Sequence, residues 1–203
     1  EVFLVENQIT QKKYAAKVIL SANNGKPKDI QSEFFIYSKT KHPAIIQFHG
    51  LSMKDFDNKR NPTILLEYMP NGSISSKKTK LTKVQKYIIL LGIANGMKYL
   101  HDNMIVHRDL KSGNVLLDEN YYPRICDFGL STFSEYTLND IKMDDLAGSP
   151  AYMAPEIFER NEYNFKIDVY SYSIFAYELI TGKFPYKLKK YELKKKNFGR
   201  IET

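Results

Sequence analysis

Three short stretches gather polar residues at fixed spacing: His107-Arg108-Asp109-Leu110-Lys111-Ser112-Gly113-Asn114, Asp127-Phe128-Gly129 and Ala154-Pro155-Glu156. The residue types are those of proton transfer and of oxygen-ligated cations, since a carboxylate can take a proton and carboxylate and amide oxygens bind hard divalent ions. A lone Asp is far more often a solvated surface charge than a reacting group. The ordered grouping, with Asn114 and Asp127 thirteen positions apart, is what carries information.

Other elements must hold these residues. Val2 to Val5 and Tyr14 to Ile19 are apolar runs around a polar turn, which reads as a β-hairpin. Ile30, Phe34 and Tyr37, with Glu33 among them, predict a short helix over 29–41 that His42-Pro43 stops. Two strands are expected at Ile45–Phe48 and Thr63–Tyr68, followed by a turn at Pro70-Asn71-Gly72-Ser73. From Leu81 the spacing of Ile89, Ile93, Met97 and Leu100 predicts one face of a helix. Short strands are expected at 115–117 and 124–126. Asp168 to Ile180 predicts a helix apolar nearly all round, of the kind that is normally buried, closed by Gly182 and Pro185. The outline is an α+β chain: a small antiparallel β lobe over 1–69, a larger mainly helical lobe over 70–186, and a basic tail over 187–203.

Composition removes several classes. With 43% hydrophobic and 13% aromatic residues in 203, the chain can bury a core and is not of the disordered type. No apolar run approaches the ~20 residues of a bilayer span. The single cysteine, Cys126, can form no internal disulfide and no cysteine-based zinc cluster, which suits a reducing, cytoplasmic compartment. Residues 183–203 hold eight Lys or Arg against two Glu, so nearly all of the +7 net charge sits there and the rest is close to neutral. No base-stacking or groove-reading motif accompanies that charge, so nucleic acid is not an expected partner. Oligomeric state leaves no mark in the sequence.

The three stretches together resemble the signature of the eukaryotic protein kinases, in their order and spacing. The resemblance covers about residues 1 to 186 and implies a two-lobed protein-kinase-like fold. It implies the following roles. Asp109 accepts the substrate hydroxyl proton. Asn114 and Asp127 hold Mg²⁺, with Mn²⁺ as an alternative ion. Lys111 places positive charge near the transferred phosphoryl group. Ala15-Ala16-Lys17 looks like the family's V-A-I-K strand with Tyr14 for Val. Lys17 then contacts the ATP phosphates and Glu33 is its helix partner. Val2 and Ala15 cover the adenine from above and Leu116 from below. Leu66 is the gatekeeper, and backbone groups of Glu67 and Met69 in the hinge face the base. Tyr37, Phe48, His107 and Phe128, based on Asp168, match the family's stacked spine, with Tyr37 bulkier and more polar than the usual aliphatic residue.

Lys111 and the Gly148-Ser149-Pro150-Ala151-Tyr152-Met153-Ala154-Pro155-Glu156 run look like a serine/threonine kinase, and Leu110 to Asp118, with that run and Asp168-Val169-Tyr170-Ser171-Tyr172-Ser173, is most similar to the tyrosine-kinase-like group, whose members mostly modify Ser or Thr. Ser149 is expected to bond Asp109 and Lys111, and Ser134, Tyr136 and Thr137 are candidate phosphorylation sites. Cys126 reads first as a buried core residue, with a thiol reactive toward electrophiles as the sharper alternative. No G-x-G-x-x-G loop precedes Val2, and Glu156 has no evident Arg partner. Two readings follow: an ATP- and Mg²⁺-dependent serine/threonine kinase acting on proteins in intracellular signalling, or a truncated, inactive kinase-like module that binds partners.

Overall fold

The computed structural model describes residues 1–20, 27–76, 81–133, 148–158 and 164–186, with the side chains of 27–31 left aside. The expected phosphorylation sites Ser134, Tyr136 and Thr137 and the basic tail lie outside these residues. Strands β1 (Val2–Glu6), β2 (Lys13–Val18), β3 (Phe48–Ser52) and β4 (Thr63–Glu67) form one antiparallel sheet in the order β1-β2-β4-β3, and helix α1 (Pro27–Lys39) connects β2 to β3. Val2 pairs with Lys17 and Leu4 with Ala15, while Lys17 pairs with Ile64 and Ala15 with Leu66. Because side chains alternate along a strand, Val2, Ala15, Lys17 and Leu66 share one sheet face.

The strand expected at Ile45–Phe48 is displaced: β3 begins at Phe48. Ile45 and Ile46 are buried, and they join the sheet region to the helical one through an Ile45–Ile125 bridge and a 2.9 Å bond from the Ile46 N–H to the Ile125 carbonyl. Their apolar character serves the core rather than a ladder. The true strand, Phe-His-Gly-Leu-Ser with a bulge between Phe48 and Gly50, lacks an apolar run to announce it.

The helical part starts with α2 (Lys83–Asp102), whose first turn is closed by a reciprocal cap: the Gln85 N–H donates to Thr82 Oγ1 at 3.2 Å and the Thr82 N–H to Gln85 Oε1 at 2.8 Å. Ile89, Ile93, Met97 and Leu100 are all buried, as their spacing requires. Short strands β5 (Ile105–Val106), β6 (Val115–Leu117), β7 (Pro123–Ile125) and β8 (Thr132–Phe133) pair as β5 with β8 and β6 with β7. The one-turn α3 (Pro155–Phe158) and then α4 (Lys166–Thr181) follow. Gly182 caps α4 with φ +71°, a left-handed conformation that costs Gly little.

Helix α4 departs from expectation, because among the described residues Val169, Tyr177 and Ile180 are 54%, 45% and 57% exposed. One face, with Ile167, Ile174, Phe175 and Leu179, is buried, so apolar composition all round did not mean burial all round. Against α2 the strand β7 packs at close range. A Cβ on Gly96 would lie 2.8 Å from Ile125 Cδ1 and 3.3 Å from the Ala44 carbonyl oxygen, so only Gly lets the helix come this near. Gly96→Val is therefore expected to overpack this contact and lower stability by about 2 kcal/mol. A lowered denaturation midpoint at unchanged m-value checks it.

Candidate active site

Lys17 leaves β2 on the face it shares with Ala15 and reaches two carboxylates. Its Nζ lies 2.6 Å from Glu33 Oε1 on α1 and 2.8 Å from Asp127 Oδ1, which follows β7. Sheet, helix and the helical part of the chain thus meet at one ammonium. Burial pushes the Lys17 pKa down, but the Glu33 and Asp127 charges outweigh it and hold the group above its ordinary value. Burial pushes Asp127 up, and here Lys17 wins, so this carboxyl stays below its usual range. For Glu33, deeper in the protein, burial prevails over Lys17 and raises the pKa. Asp127 Oδ2 makes no hydrogen bond among the described residues, and 46% of the side chain is exposed.

The second cluster is the loop 107–114. Asp109 is buried, and its Oδ2 takes Lys111 Nζ at 2.6 Å and Asn114 Nδ2 at 3.0 Å. Asn114 Nδ2 also donates to the Asp109 carbonyl at 2.8 Å, so the amide oxygen is the atom Asn114 can offer elsewhere. Asp109 Oδ1 is buried with no hydrogen-bond partner among the described residues. Ser149 Oγ accepts from Lys111 Nζ at 2.7 Å; its link to Asp109 runs through Lys111 rather than directly.

The loop is held from below. Asp168 on α4 is buried, and its carboxylate accepts the N–H of His107 and of Arg108, each at 2.8 Å, and lies 2.9 Å from His101 Nε2. Arg108 has φ +69° and Asp127 φ +67°, a region costing non-Gly residues about 1–3 kcal/mol each. The bonds to Asp168 fix the first of these. The Asp109 N–H donates to His107 Nδ1 at 3.3 Å, so that nitrogen is the acceptor and Nε2 carries the proton given to the Cys126 carbonyl, 3.2 Å away. Tyr37, Phe128 and His107 then stack edge to face in sequence, with centroids 5.0 and 5.3 Å apart. The ring contact of Phe48 is with Phe34.

Of the expected adenine-facing residues, Leu66 and Met69 are buried, Ala15 and Leu116 pack against the same core, and Val2 is 66% exposed. The Glu67 N–H is bonded to the Gln47 carbonyl at 2.9 Å and the Met69 carbonyl accepts the Gly72 N–H at 3.0 Å, while the Met69 N–H meets no acceptor among the described residues. Two features carried no sequence signal strong enough to read. The Glu67 carboxylate takes the Gln47 N–H at 2.8 Å and Arg124 Nε at 3.2 Å, and Arg124 also pairs with Asp118, pinning strand end to β7. A hollow of about 670 Å³ beside this pair is lined by Tyr37, Lys41, His42, Phe48, Glu67 and Arg124, and none of Lys17, Asp109, Asn114 or Asp127 lines it. The other feature is the Tyr37 hydroxyl, which accepts the Asp127 N–H at 3.1 Å.

Asp127 and Asn114 offer oxygens only, the donor type of a hard cation held jointly with phosphates. Among the described residues no group of three or more His, Cys, Asp or Glu could hold a metal by itself, and no helix is long and apolar enough to cross a membrane. Glu156 is half-buried and makes no ion pair among these residues.

A family model described as protein kinase domain matches residues 1–202. The chain is 38% identical over 164 residues to the serine/threonine-protein kinase STY46 of Arabidopsis thaliana, covering 79% of this chain and 27% of that protein. It is 36% identical over 165 residues to cysteine-rich receptor-like protein kinase 10 of Oryza sativa subsp. japonica, covering 76% and 25%. Against the serine/threonine-protein kinase polo of Drosophila melanogaster, identity is 34% over 180 residues, covering 87% and 30%. The chain spans between a quarter and a third of the length of these relatives.

Cys126 tests the electrostatics of this region directly. Burial first, then the Asp127 charge, pushes its thiol up to about 12, and Sγ is turned onto the Asn114 carbonyl at 3.4 Å. The reactive-thiol alternative is thus disfavoured, since the thiolate is the nucleophile. Alkylation by iodoacetamide at pH 7.5 is expected to be at least about a hundredfold slower in the folded protein than after denaturation; equal rates would contradict the burial.

Proposed function

Because the chain belongs to the protein kinase domain family, we propose that it transfers the γ-phosphoryl group of Mg-ATP to Ser or Thr hydroxyls of protein substrates. The observation that carries this reading is Asp109 Oδ1, a buried carboxylate oxygen without a partner among the described residues, in a loop where Asp109 Oδ2 and the Asn114 amide nitrogen are both bonded. An orphaned buried acceptor costs roughly 1–3 kcal/mol, more when charged, and an incoming hydroxyl donor relieves it. Asp109 takes the substrate proton at Oδ1 while Lys111 and Asn114 hold Oδ2 and keep the side chain aimed. Lys111, 2.6 Å from Asp109, places positive charge beside the site of transfer.

Lys17 is the phosphate ligand and Glu33 fixes its direction. The bond it makes to Asp127 Oδ1 is the one that nucleotide phosphates would share or replace. Asp127 and the Asn114 amide oxygen hold Mg²⁺, or Mn²⁺ in its place. When bound, Mg-ATP supplies the transferable phosphoryl group and the cation that neutralises its charge. Val2, Ala15, Leu66 and Leu116 wall the adenine, and the Met69 N–H, which meets no acceptor among the described residues, orients it together with the Glu67 backbone. We read residues 1–69 and 70–186 as the two lobes of one domain, with serine/threonine specificity of the tyrosine-kinase-like kind. ATP and Ser/Thr-bearing proteins are its partners. The single cysteine suits a cytoplasmic place in signalling.

The test is labelled phosphate transfer from Mg-ATP to a generic Ser/Thr substrate by the full-length protein. Wild type is expected to transfer phosphate, and Asp109→Asn, nearly isosteric, to lose about 10²–10⁴-fold in kcat. A folded wild type that binds Mg-ATP yet transfers nothing would sink this reading in favour of a kinase-like binding module.

A further inference from the structure

Tyr37 is a buried titratable group that the proposed chemistry leaves without a task. It is 2% exposed, and its ring packs edge-on against Phe128. Packing alone would be met by Leu, Met or Phe. What those residues would not supply is the hydroxyl, which has one proton to give and lone pairs to receive. Here it receives the Asp127 N–H at 3.1 Å.

We propose that the Tyr37 hydroxyl is a latch that fixes helix α1 and the Asp127 turn in one mutual arrangement, making Tyr37 a positioning residue for phosphoryl transfer. Glu33 and Tyr37 are four residues apart on α1 and so lie on one face, one turn above the other. Lys17 already ties Glu33 to Asp127 through side chains, at 2.6 and 2.8 Å. Tyr37 closes a second link between α1 and Asp127, this time through the Asp127 backbone. That backbone is the strained point, with φ +67°, and a conformation of this kind persists only when its surroundings over-determine it. Lys17 holds the Asp127 carboxylate, Tyr37 holds its N–H, and the Phe128 ring is held against the Tyr37 ring. An outward movement of α1 would break the Tyr37–Asp127 bond, the Tyr37–Phe128 contact and the Lys17–Glu33 pair, so the position of the helix and that of the Asp127 turn become one two-state element.

The inference rests on the kinase reading for its effect on rate, but the latch itself can be measured without phosphoryl transfer. In full-length Tyr37→Phe the ring and its contact with Phe128 remain while the Asp127 N–H loses its acceptor. Amide hydrogen exchange at Asp127, read by NMR, is expected to quicken about tenfold, with the amides of α2 unchanged. The kcat for Mg-ATP-dependent transfer is expected to fall about tenfold, with KM for ATP within about threefold, because nucleotide contacts are kept and the aligned population shrinks. Unchanged exchange at Asp127 would overturn the latch, as would a uniform quickening across α1, α2 and α4, which marks plain loss of stability. Quicker exchange with unchanged kcat would overturn its part in the reaction. If wild type transfers no phosphate, the kinase reading fails and the exchange result alone decides the latch. Should Tyr37→Phe not fold, the wild-type Asp127 amide serves instead: bonded to the Tyr37 hydroxyl it is expected to exchange as slowly as the amides inside α2, and exchange as fast as an open amide would count against the latch.

Discussion

One ammonium with two claimants governs this architecture. Lys17 Nζ sits within 2.8 Å of Glu33 and Asp127, and those three residues come from the sheet, the helix packed beside it and the segment after β7. Glu33, whose side chain is almost wholly buried, could not sit so far from water unpaired, since a buried charge without its counter-charge costs several kcal/mol. The pairing therefore dictates where α1 lies against β2 and where the Asp127 turn lies against both. The same ammonium that aligns the fold presents positive charge that an anionic ligand could share with the two carboxylates, as the proposed function requires.

The opposite wall follows a similar logic on a different anchor. A buried Asp168 carboxylate cannot be left unbonded, and it receives the His107 and Arg108 N–H groups along with His101. Those bonds hold Arg108 at φ +69°, which turns the chain so that Asp109 points away from α4 toward Lys111 and Asn114. Helix α4 thus positions the loop from beneath, and the stacked rings of His107, Phe128 and Tyr37 carry that alignment up to α1. Backbone strain at Arg108 and Asp127 is held by neighbours that are themselves buried.

Much of this was legible before any coordinates because the chemistry sits in contiguous words. Asp109, Lys111 and Asn114 lie within six positions, so their mutual geometry depends on one loop, and a sequence pattern can stand for it. The faces of α2 and the Gly182 cap were equally readable, since period and cap residue are local properties. What escaped depends on contacts between distant segments. Ile45 and Ile46 look like a strand, yet they plug the junction with Ile125; α4 looks buried all round, yet Val169, Tyr177 and Ile180 face outward among the described residues. The Glu67–Arg124–Asp118 pairs and the Tyr37 hydroxyl join residues as much as 90 positions apart, and no local rule announces them. Composition tells which residues are apolar or charged; which of them meet is decided by packing.

The account stands on Lys17, Asp127 and Asn114 forming a site for nucleotide together with a divalent cation. Thermal stabilisation of the full-length protein by ATP, measured with and without Mg²⁺, tests this most directly. A markedly larger rise in Tm with Mg²⁺ than with ATP alone is expected, and Asp127→Asn should abolish that difference while leaving the effect of ATP alone. Equal shifts with and without Mg²⁺, or a Mg²⁺ effect that survives in Asp127→Asn, would contradict it.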